Sequence, residues 1–285
     1  MLDAAGAGGL TVIANTGDDT EVYGVHVSPD PDLVTYWLAD AIDDRGYGIR
    51  GDTWEVMDAL EAAGRPTWFR LGDRDLAMCL LRTDRLAAGE RLTDAHAAVV
   101  TGMAVTARVL PAADEPVRTR VTARGRELPF QEFMILGRGE GPIEAVEFAG
   151  AGAASPTPEV LAALERADAI VIGPSNPIAS ISPMLAIPGM REAIAAAPAP
   201  VVAVSPFVGG EVLKGPTLEF CRWAGIEASG AGLAEAYAGL LDGVVADEPI
   251  DGLPCLITDT LMDTTEARAT VAAATLDFAR SLRAG

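Results

Sequence analysis

The sequence predicts an α/β protein: a Rossmann-like, mostly parallel sheet with helices on both faces, plus a smaller β-rich insertion. Three observations predict it. Short apolar runs at Leu10–Ala14, Asp168–Gly173, Pro200–Val204 and Pro254–Ile257 alternate with amphipathic stretches, as buried parallel strands do. The runs end in small polar loops, NTGDD, SPDPD, GPSNP, SPFVGG and TDT, which a parallel sheet gathers along one edge. Residues 105–150 break this rhythm, with alternation such as Val117-Arg118-Thr119-Arg120-Val121 that suits a half-exposed sheet. The expected division is a first core half over 1–104, an inserted β-rich part or lid over 105–150, and a second core half over 151–285.

The first strand runs into Asn15-Thr16-Gly17-Asp18-Asp19, and a second apolar stretch, Val22–Val27, into Ser28-Pro29-Asp30-Pro31-Asp32. Four carboxylates thus stand past the ends of two strands, at the edge where open α/β sheets bind ligands. Carboxylates gathered there hold Mg²⁺ for a phosphate-bearing substrate. The plainer reading is two acidic turns, since Asp, Asn, Gly and Pro are ordinary loop residues. A helix follows, capped by Asp30 or Asp32, with Leu33, Tyr36 and Trp37 on one face. Thr53 is the expected N-cap of a helix over Trp54–Ala63, which Gly64-Arg65-Pro66 stops. Arg70, Asp73, Arg74 and Asp75 surround the start of the next helix, where a helix N-terminus welcomes anions; capping and surface ion pairs explain them equally well. Another helix starts at Thr93. The insertion carries expected strands at Thr106–Leu110, Val117–Ala123, Phe130–Leu136 and Ile143–Phe148.

The α/β rhythm returns with a helix capped by Thr157, with Pro158 at its first position. The strand after it ends in Ser175 and Asn176, whose loop presents hydroxyls and backbone N–H groups to phosphate. The next strand ends in Ser205-Pro206-Phe207-Val208-Gly209-Gly210. Further helices are expected over Leu233–Leu241 and Thr265–Leu282.

Composition narrows the function. The chain has 285 residues, 49% of them hydrophobic, enough for a sizeable core. A formal charge of −20 is opposite to that of a general nucleic-acid binder, so nucleic acid is not an expected partner, and an anionic substrate must be met by a metal or a local cation. Lys214 is the sole lysine. Cys79, Cys221 and Cys255 are dispersed, and His26 and His96 are the only histidines, which argues against structural zinc and for reduced thiols. No run has the length of a membrane span, and MLDAAGAGGL lacks the basic region of a signal peptide. The expected location is cytoplasmic, with small molecules as partners.

The runs ANTGDD, SPDPD, GIRGDTW, WFRLGDRDLA, GPSNPIASISPMLAIPGMR, AVSPFVGGEVLKGP and DTLM together resemble one family, the 2-phospho-L-lactate transferases of deazaflavin (coenzyme F-420) biosynthesis. The resemblance runs from about Thr11 to the last helix. It implies a Mg²⁺-dependent transferase that moves a 2-phospholactyl or enolpyruvyl-phosphate group from a guanosine diphosphate-linked donor. The acceptor is the ribityl hydroxyl of the deazaflavin Fo, and GMP leaves. It implies that Asp32 contacts Fo and orients the hydroxyl or takes its proton, and that Arg70 is the second Fo contact. Asp18, Asp19 and Asp30 are then the metal candidates. Asn15, Thr16, Ser175, Asn176, Ser205, Gly209 and Lys214 fall on the nucleotide and phosphate side. By analogy it also implies a homodimer.

The pattern departs from the family at the start. The resemblance implies a strand and a Gly-rich loop ahead of Thr11, and this sequence lacks them, so the expectation is that initiation lies upstream of Met1. Two other readings stand beside the transferase: a nucleotide-sugar-binding regulatory protein of the same superfamily, and an inactive truncated homologue.

Overall fold

The computed structural model describes residue 2 and residues 9–212 and 215–283. In chain order the first elements are β1 (Thr11–Ala14), β2 (Thr20–Val22), β3 (Val25–Val27), α1 (Pro29–Leu38), α2 (Glu55–Ala62), α3 (Asp73–Ala87) and α4 (Leu92–Gly102). The middle of the chain forms β4 (Arg108–Pro111), β5 (Arg118–Ala123), β6 (Arg126–Pro129), α5 (Phe130–Ile135) and β7 (Ile143–Ala149). Then come α6 (Pro158–Arg166), β8 (Ile170–Ile172), a π-turn over Pro177–Ile181, α7 (Ser182–Leu185), α8 (Met190–Ala195) and β9 (Val201–Val204). The chain closes with β10 (Phe207–Val208), β11 (Glu211–Val212), α9 (Thr217–Ala224), α10 (Gly230–Ala236), β12 (Gly243–Ala246), β13 (Cys255–Ile257) and α11 (Thr265–Arg283).

The expected α/β class holds: parallel strands alternate with helices on both faces. The strand order β13-β12-β9-β8 is parallel throughout. Val201 and Ala203 of β9 face one way, onto Val160 and Leu164 of α6, Met190 and Ile194 of α8, and Leu233 of α10. Val202 and Val204 face the other way, onto Val271 and Ala279 of α11. Burial on both faces is why these strands read as unbroken apolar runs. Each such Val or Leu contributes on the order of 1.5–3 kcal/mol.

The parallel strands do not form one continuous sheet. β1 pairs only with β4, in parallel, in a second sheet of two strands. No ladder joins β1 to β8 among the described residues, so each carries one unpaired edge. Their side chains show it: Thr11, Val12, Ile13, Ile170 and Val171 are half-exposed, whereas β9 and β12 are buried throughout.

Three expected strands change. Val22–Val27 is not a sheet strand but the hairpin β2–β3, because Tyr23 and Gly24 both take left-handed φ (54° and 77°), as a tight two-residue turn requires. The hairpin packs with Met57, Leu71 and Cys79, on the side of α2 and α3. Phe130–Ile135 is a helix, since Phe130, Phe133 and Met134 repeat at three and four residues and pack around Phe220 and Val121. Arg108–Pro111, the first strand expected within 105–150, belongs to the core beside β1; the antiparallel sheet β6-β5-β7 covers only Arg118–Ala149.

Thr53 is not the cap of α2. Asp73, the first residue of α3, accepts from Glu55 N (3.0 Å) and Val56 N (3.1 Å) at the start of α2. In return Asp52, just before α2, accepts from Arg74 N (2.9 Å) and Asp75 N (3.0 Å) at the start of α3. The GDTW and LGDRD motifs therefore cap each other's helices. A Cβ at Gly72 would collide with the Asp52 carboxylate. Among the described residues, no helix is long and apolar enough to cross a membrane.

Candidate active site

β1 delivers Asn15 to the C-terminal edge of its sheet, and the hairpin folds SPDPD back onto it. Asn15 Nδ2 donates to Asp30 Oδ2 at 3.1 Å and reaches Asp18 Oδ1 at 3.4 Å. The same nitrogen lies 3.4 Å from Ala179 O, which ties the turn after β8 to this centre. Gln131 of α5 donates to Asp18 Oδ2 at 3.2 Å. Asp19 is fully engaged, with Ser28 Oγ on one oxygen (2.6 Å) and His26 Nε2 on the other (3.1 Å). Burial, then the charges of Asp30 and Asp19, push the Asp18 carboxyl well above the ordinary carboxylate range. Burial lifts Asp30 to about 6, with Asp19 adding to it and the Asn15 hydrogen bond opposing. Burial and the crowding of like charges account for both shifts.

Asp32, two residues further along α1 and so on another side of the helix, faces a different set of groups. It is buried, and both its oxygens accept from Arg82 of α3, at 2.6 and 2.8 Å. Arg82 is 0% exposed and also donates to His26 O at 3.0 Å, so it links Asp32 to the strand that carries the partner of Asp19. Around the pair lie Cys79, His96 and Tyr36, whose hydroxyl donates to Asp75 at 2.7 Å. Burial holds His96 near 4, hence neutral, and lifts Asp75 to about 6.

The other expected residues are spread more widely. Asn15 and Thr16 are buried in the acidic turn. Arg70 is exposed and bound to Asp58 and Glu61 of α2, with no described contact to Asp32. Ser175 sits in the turn after β8, and Asn176 uses its carbonyl to cap the π-turn through Ile178 N (2.9 Å) and Ala179 N (3.0 Å). Ser205 is buried and accepts from Phe207 N at 3.2 Å. Gly209, with φ 59°, donates its N–H to Asp247 at 2.5 Å. Lys214 lies outside the described residues.

The geometry is that of an acidic centre under an arginine-bearing sheet. A family profile described as 2-phospho-L-lactate transferase CofD matches residues 4–266. The chain belongs to that family. It is similar to a phosphoenolpyruvate transferase of Kitasatospora aureofaciens, 38% identical over 97% of this chain and 91% of that one. A 2-phospho-L-lactate transferase of Methanosarcina mazei is 39% identical over 90% of this chain and 88% of its own length. A crystal structure of a Bacillus halodurans protein superposes with a TM-score of 0.52 at 18% identity, covering 92% of this chain and 82% of that one, which supports the fold.

Two groups in this transferase deserve a test as metal ligands. Among the described residues, Asp32, Asp75 and Cys79 bring three ligand atoms within 4.8 Å of one another. That set does not suit a cation: Arg82 occupies Asp32, Tyr36 occupies Asp75, and burial pushes the Cys79 thiol up, so it stays protonated. Asp18 and Asp30 fit better. Both converge on Asn15 Nδ2, and Asp30 Oδ1 has no protein partner among the described residues. Mg²⁺ typically takes only one or two carboxylates and completes its shell with water and phosphate oxygens.

Sequence reasoning missed Gln131, His26, Arg118 and Arg82. For Arg82 a signal existed: Asp75, Cys79 and Arg82 stand at i, i+4 and i+7, one polar stripe on the buried side of α3. Gly17 is the tightest point of the transferase site. A Cβ there would lie 2.7 Å from Thr119 Oγ1, 2.8 Å from Pro183 Cβ and 2.9 Å from Asn15 Oδ1. Gly17→Ala is expected to lower stability by about 1–3 kcal/mol through overpacking. Denaturant melts check this, and an unchanged midpoint would show that the turn has room.

Proposed function

We propose that this protein transfers an enolpyruvyl-phosphate group from a guanosine diphosphate-linked donor to the ribityl hydroxyl of the deazaflavin Fo, releasing GMP. The observation that carries the reading is the convergence of Asn15, Asp18 and Asp30 beside the turn after β8, in a chain of this transferase family. The choice of enolpyruvyl over lactyl rests on the names of several similar relatives, which are phosphoenolpyruvate transferases. Phosphoryl transfer is mainly positioning and charge neutralisation, which suits a rigid acidic centre.

In this reading Asp18 and Asp30 hold Mg²⁺, which when bound neutralises charge on the phosphoryl oxygens. Asp19 supports them through Ser28 and His26. Asp32 serves the acceptor side. Arg82 already engages both its oxygens, so it orients the hydroxyl rather than removing its proton. Arg70 is the second acceptor contact, after release from Asp58 and Glu61. Asn15, Thr16, Ser175, Asn176, Ser205, Gly209 and Lys214 form the nucleotide side.

The test is turnover with Fo, Mg²⁺ and each guanosine-linked donor in turn, following the phosphodiester and GMP by mass spectrometry. The expected product carries enolpyruvate, and Arg70→Ala is expected to lower kcat/KM for Fo roughly tenfold, the order of one charged hydrogen bond. No phosphodiester from any donor would end this reading.

A further inference from the structure

A cavity of about 320 Å³ opens where β5 turns into β6, between that turn and the loop after α5. It is apart from the acidic centre: Thr119 donates its N–H to Gly17 O near the start of β5, and the cavity begins at Ala123, about 13 Å further along the strand. Leu128, Phe133 and Leu136 give it an apolar side, and Leu136 is left 58% exposed there. Arg124, Arg126 and Arg138 give it a cationic rim. Glu140, the one carboxylate of the lining, is taken by Arg124 at 2.8 Å, and Arg124 Nε donates to Gly141 O at 3.1 Å. Arg126 and Arg138 have no hydrogen-bond or ion-pair partner among the described residues. Acidic residues outnumber Lys and Arg by 41 to 21 in this chain, yet none is set against these two.

The backbone on both banks is fixed, and at a cost. Arg124 and Gly125 take left-handed φ (53° and 70°), the two-residue hairpin turn that favours Asn-Gly. Gly125 N donates to Glu144 Oε1 at 2.8 Å, which pins the turn to β7. Across the cavity, Gly137 N donates to Glu132 O and Gly139 N to Phe133 O, each at 2.9 Å, so the loop is tied back onto α5. Arg138 within it is also left-handed (φ 55°), although Gly137 and Gly139 stand on either side. A side chain is disfavoured in that conformation, and residues held in it cluster at ligand clamps. Two arginines are so held on this one cavity.

We propose that this cavity is a second ligand site, for a small organic acid. The acid group lies between Arg126 and Arg138, whose planar guanidinium donors suit a carboxylate. The apolar body lies on Leu128, Phe133 and Leu136. The volume is at the small end of pockets that hold one small molecule, which suits such an acid better than a segment of protein. The inference does not depend on the transferase reading.

The test is calorimetric titration of the whole chain with phenylbutyrate, beside acetate (the acid without the body) and phenylbutanol (the body without the acid). EDTA keeps divalent cations from the acidic centre. Phenylbutyrate is expected to bind at least tenfold more tightly than either control. Arg126→Gln is expected to raise its Kd about tenfold, the lower end for a charged hydrogen bond at an open rim. Arg138→Gly is expected to do the same without lowering the melting temperature, since glycine is the residue this backbone favours; lost binding is then not lost folding. Arg166→Gln, on α6, leaves Kd unchanged. No binding of phenylbutyrate at millimolar concentration, equal binding of phenylbutanol, or a Kd within twofold of wild type in both Arg126→Gln and Arg138→Gly would overturn the proposal.

Discussion

Asp30→Asn is expected to make the protein more stable and less active. Asp30 titrates near 6 in the folded chain because burial and Asp19 disfavour its charge, whereas an unfolded aspartate titrates near 3.8. The folded state therefore holds a proton that the unfolded state has lost between about pH 4 and 6. Stability falls as pH rises through that window and stays low above it. The full shift corresponds to about 3 kcal/mol, and the solvent-facing rim of the carboxylate reduces it, so about 2 kcal/mol is expected. At pH 7.5 without divalent cations the Asn variant should melt several degrees above wild type; at pH 3, below the unfolded value, the difference should vanish. Mg²⁺ should raise the melting temperature of wild type at pH 7.5 and leave the variant nearly unmoved. Transfer should fall by about a hundredfold or more, the scale of losing a metal's charge stabilisation. A variant that melts lower than wild type at pH 7.5, or that keeps the full Mg²⁺ response, would remove Asp30 from the metal role.

The largest loss of stability is expected at Arg82. Arg82→Met leaves the Asp32 carboxylate buried without its partner, which typically destabilises by about 3–5 kcal/mol. Two further measurements separate this from lost packing. The double variant Asp32→Asn/Arg82→Met removes both charges and should recover much of the loss, giving a coupling energy of a few kcal/mol in a double-mutant cycle, on the order of 1–3. The pH profile should also change. In wild type His96 is neutral down to about 4, so its contribution to stability is present above pH 6.5 and is lost as pH falls through 4. In Arg82→Met, His96 Nδ1 becomes the nearest cationic candidate, at 3.9 Å from Asp32 Oδ1. Its pKa should rise, so the variant should be less destabilised at pH 5.5 than at pH 8. A loss that is flat with pH and undiminished in the double variant would mean that Arg82 acts through packing alone.

The parts of this molecule legible in its sequence are those set by local chemistry. Thr157 and Pro158 start α6 as expected, with Thr157 accepting from Val160 N at 3.2 Å, and the acidic turn at Asn15–Asp19 does lie at a strand end. The hairpin was also locally encoded, in the Tyr23-Gly24 turn, but an apolar stretch broken by two turn residues resembles one strand when the break is short. What the sequence did not disclose depends on partners far along the chain. Asp32 meets Arg82 fifty residues later, Thr16 meets Arg118 at a separation of 102, and Asp18 meets Gln131 at 113. Asp73 reads equally well as an ion-pair residue or as a cap of its own helix, and Asp52 as part of a turn. Only the meeting of the two helix starts makes them caps of each other's helices. Spacing along a chain carries no information about such exchanges.

That exchange has a dynamic consequence. A helix whose first turn is capped from within its own sequence frays alone. Here the first N–H groups of α2 are satisfied by the leading residue of α3, and those of α3 by Asp52, three residues before α2. Neither end can open without stripping the other, so the two segments and the hairpin packed on them should behave as one foldon. In hydrogen exchange the amides of Glu55, Val56, Arg74 and Asp75 should then share a single opening free energy. Arg70, which lies between those segments, would change its partners only when that whole unit gives way or shifts as a body.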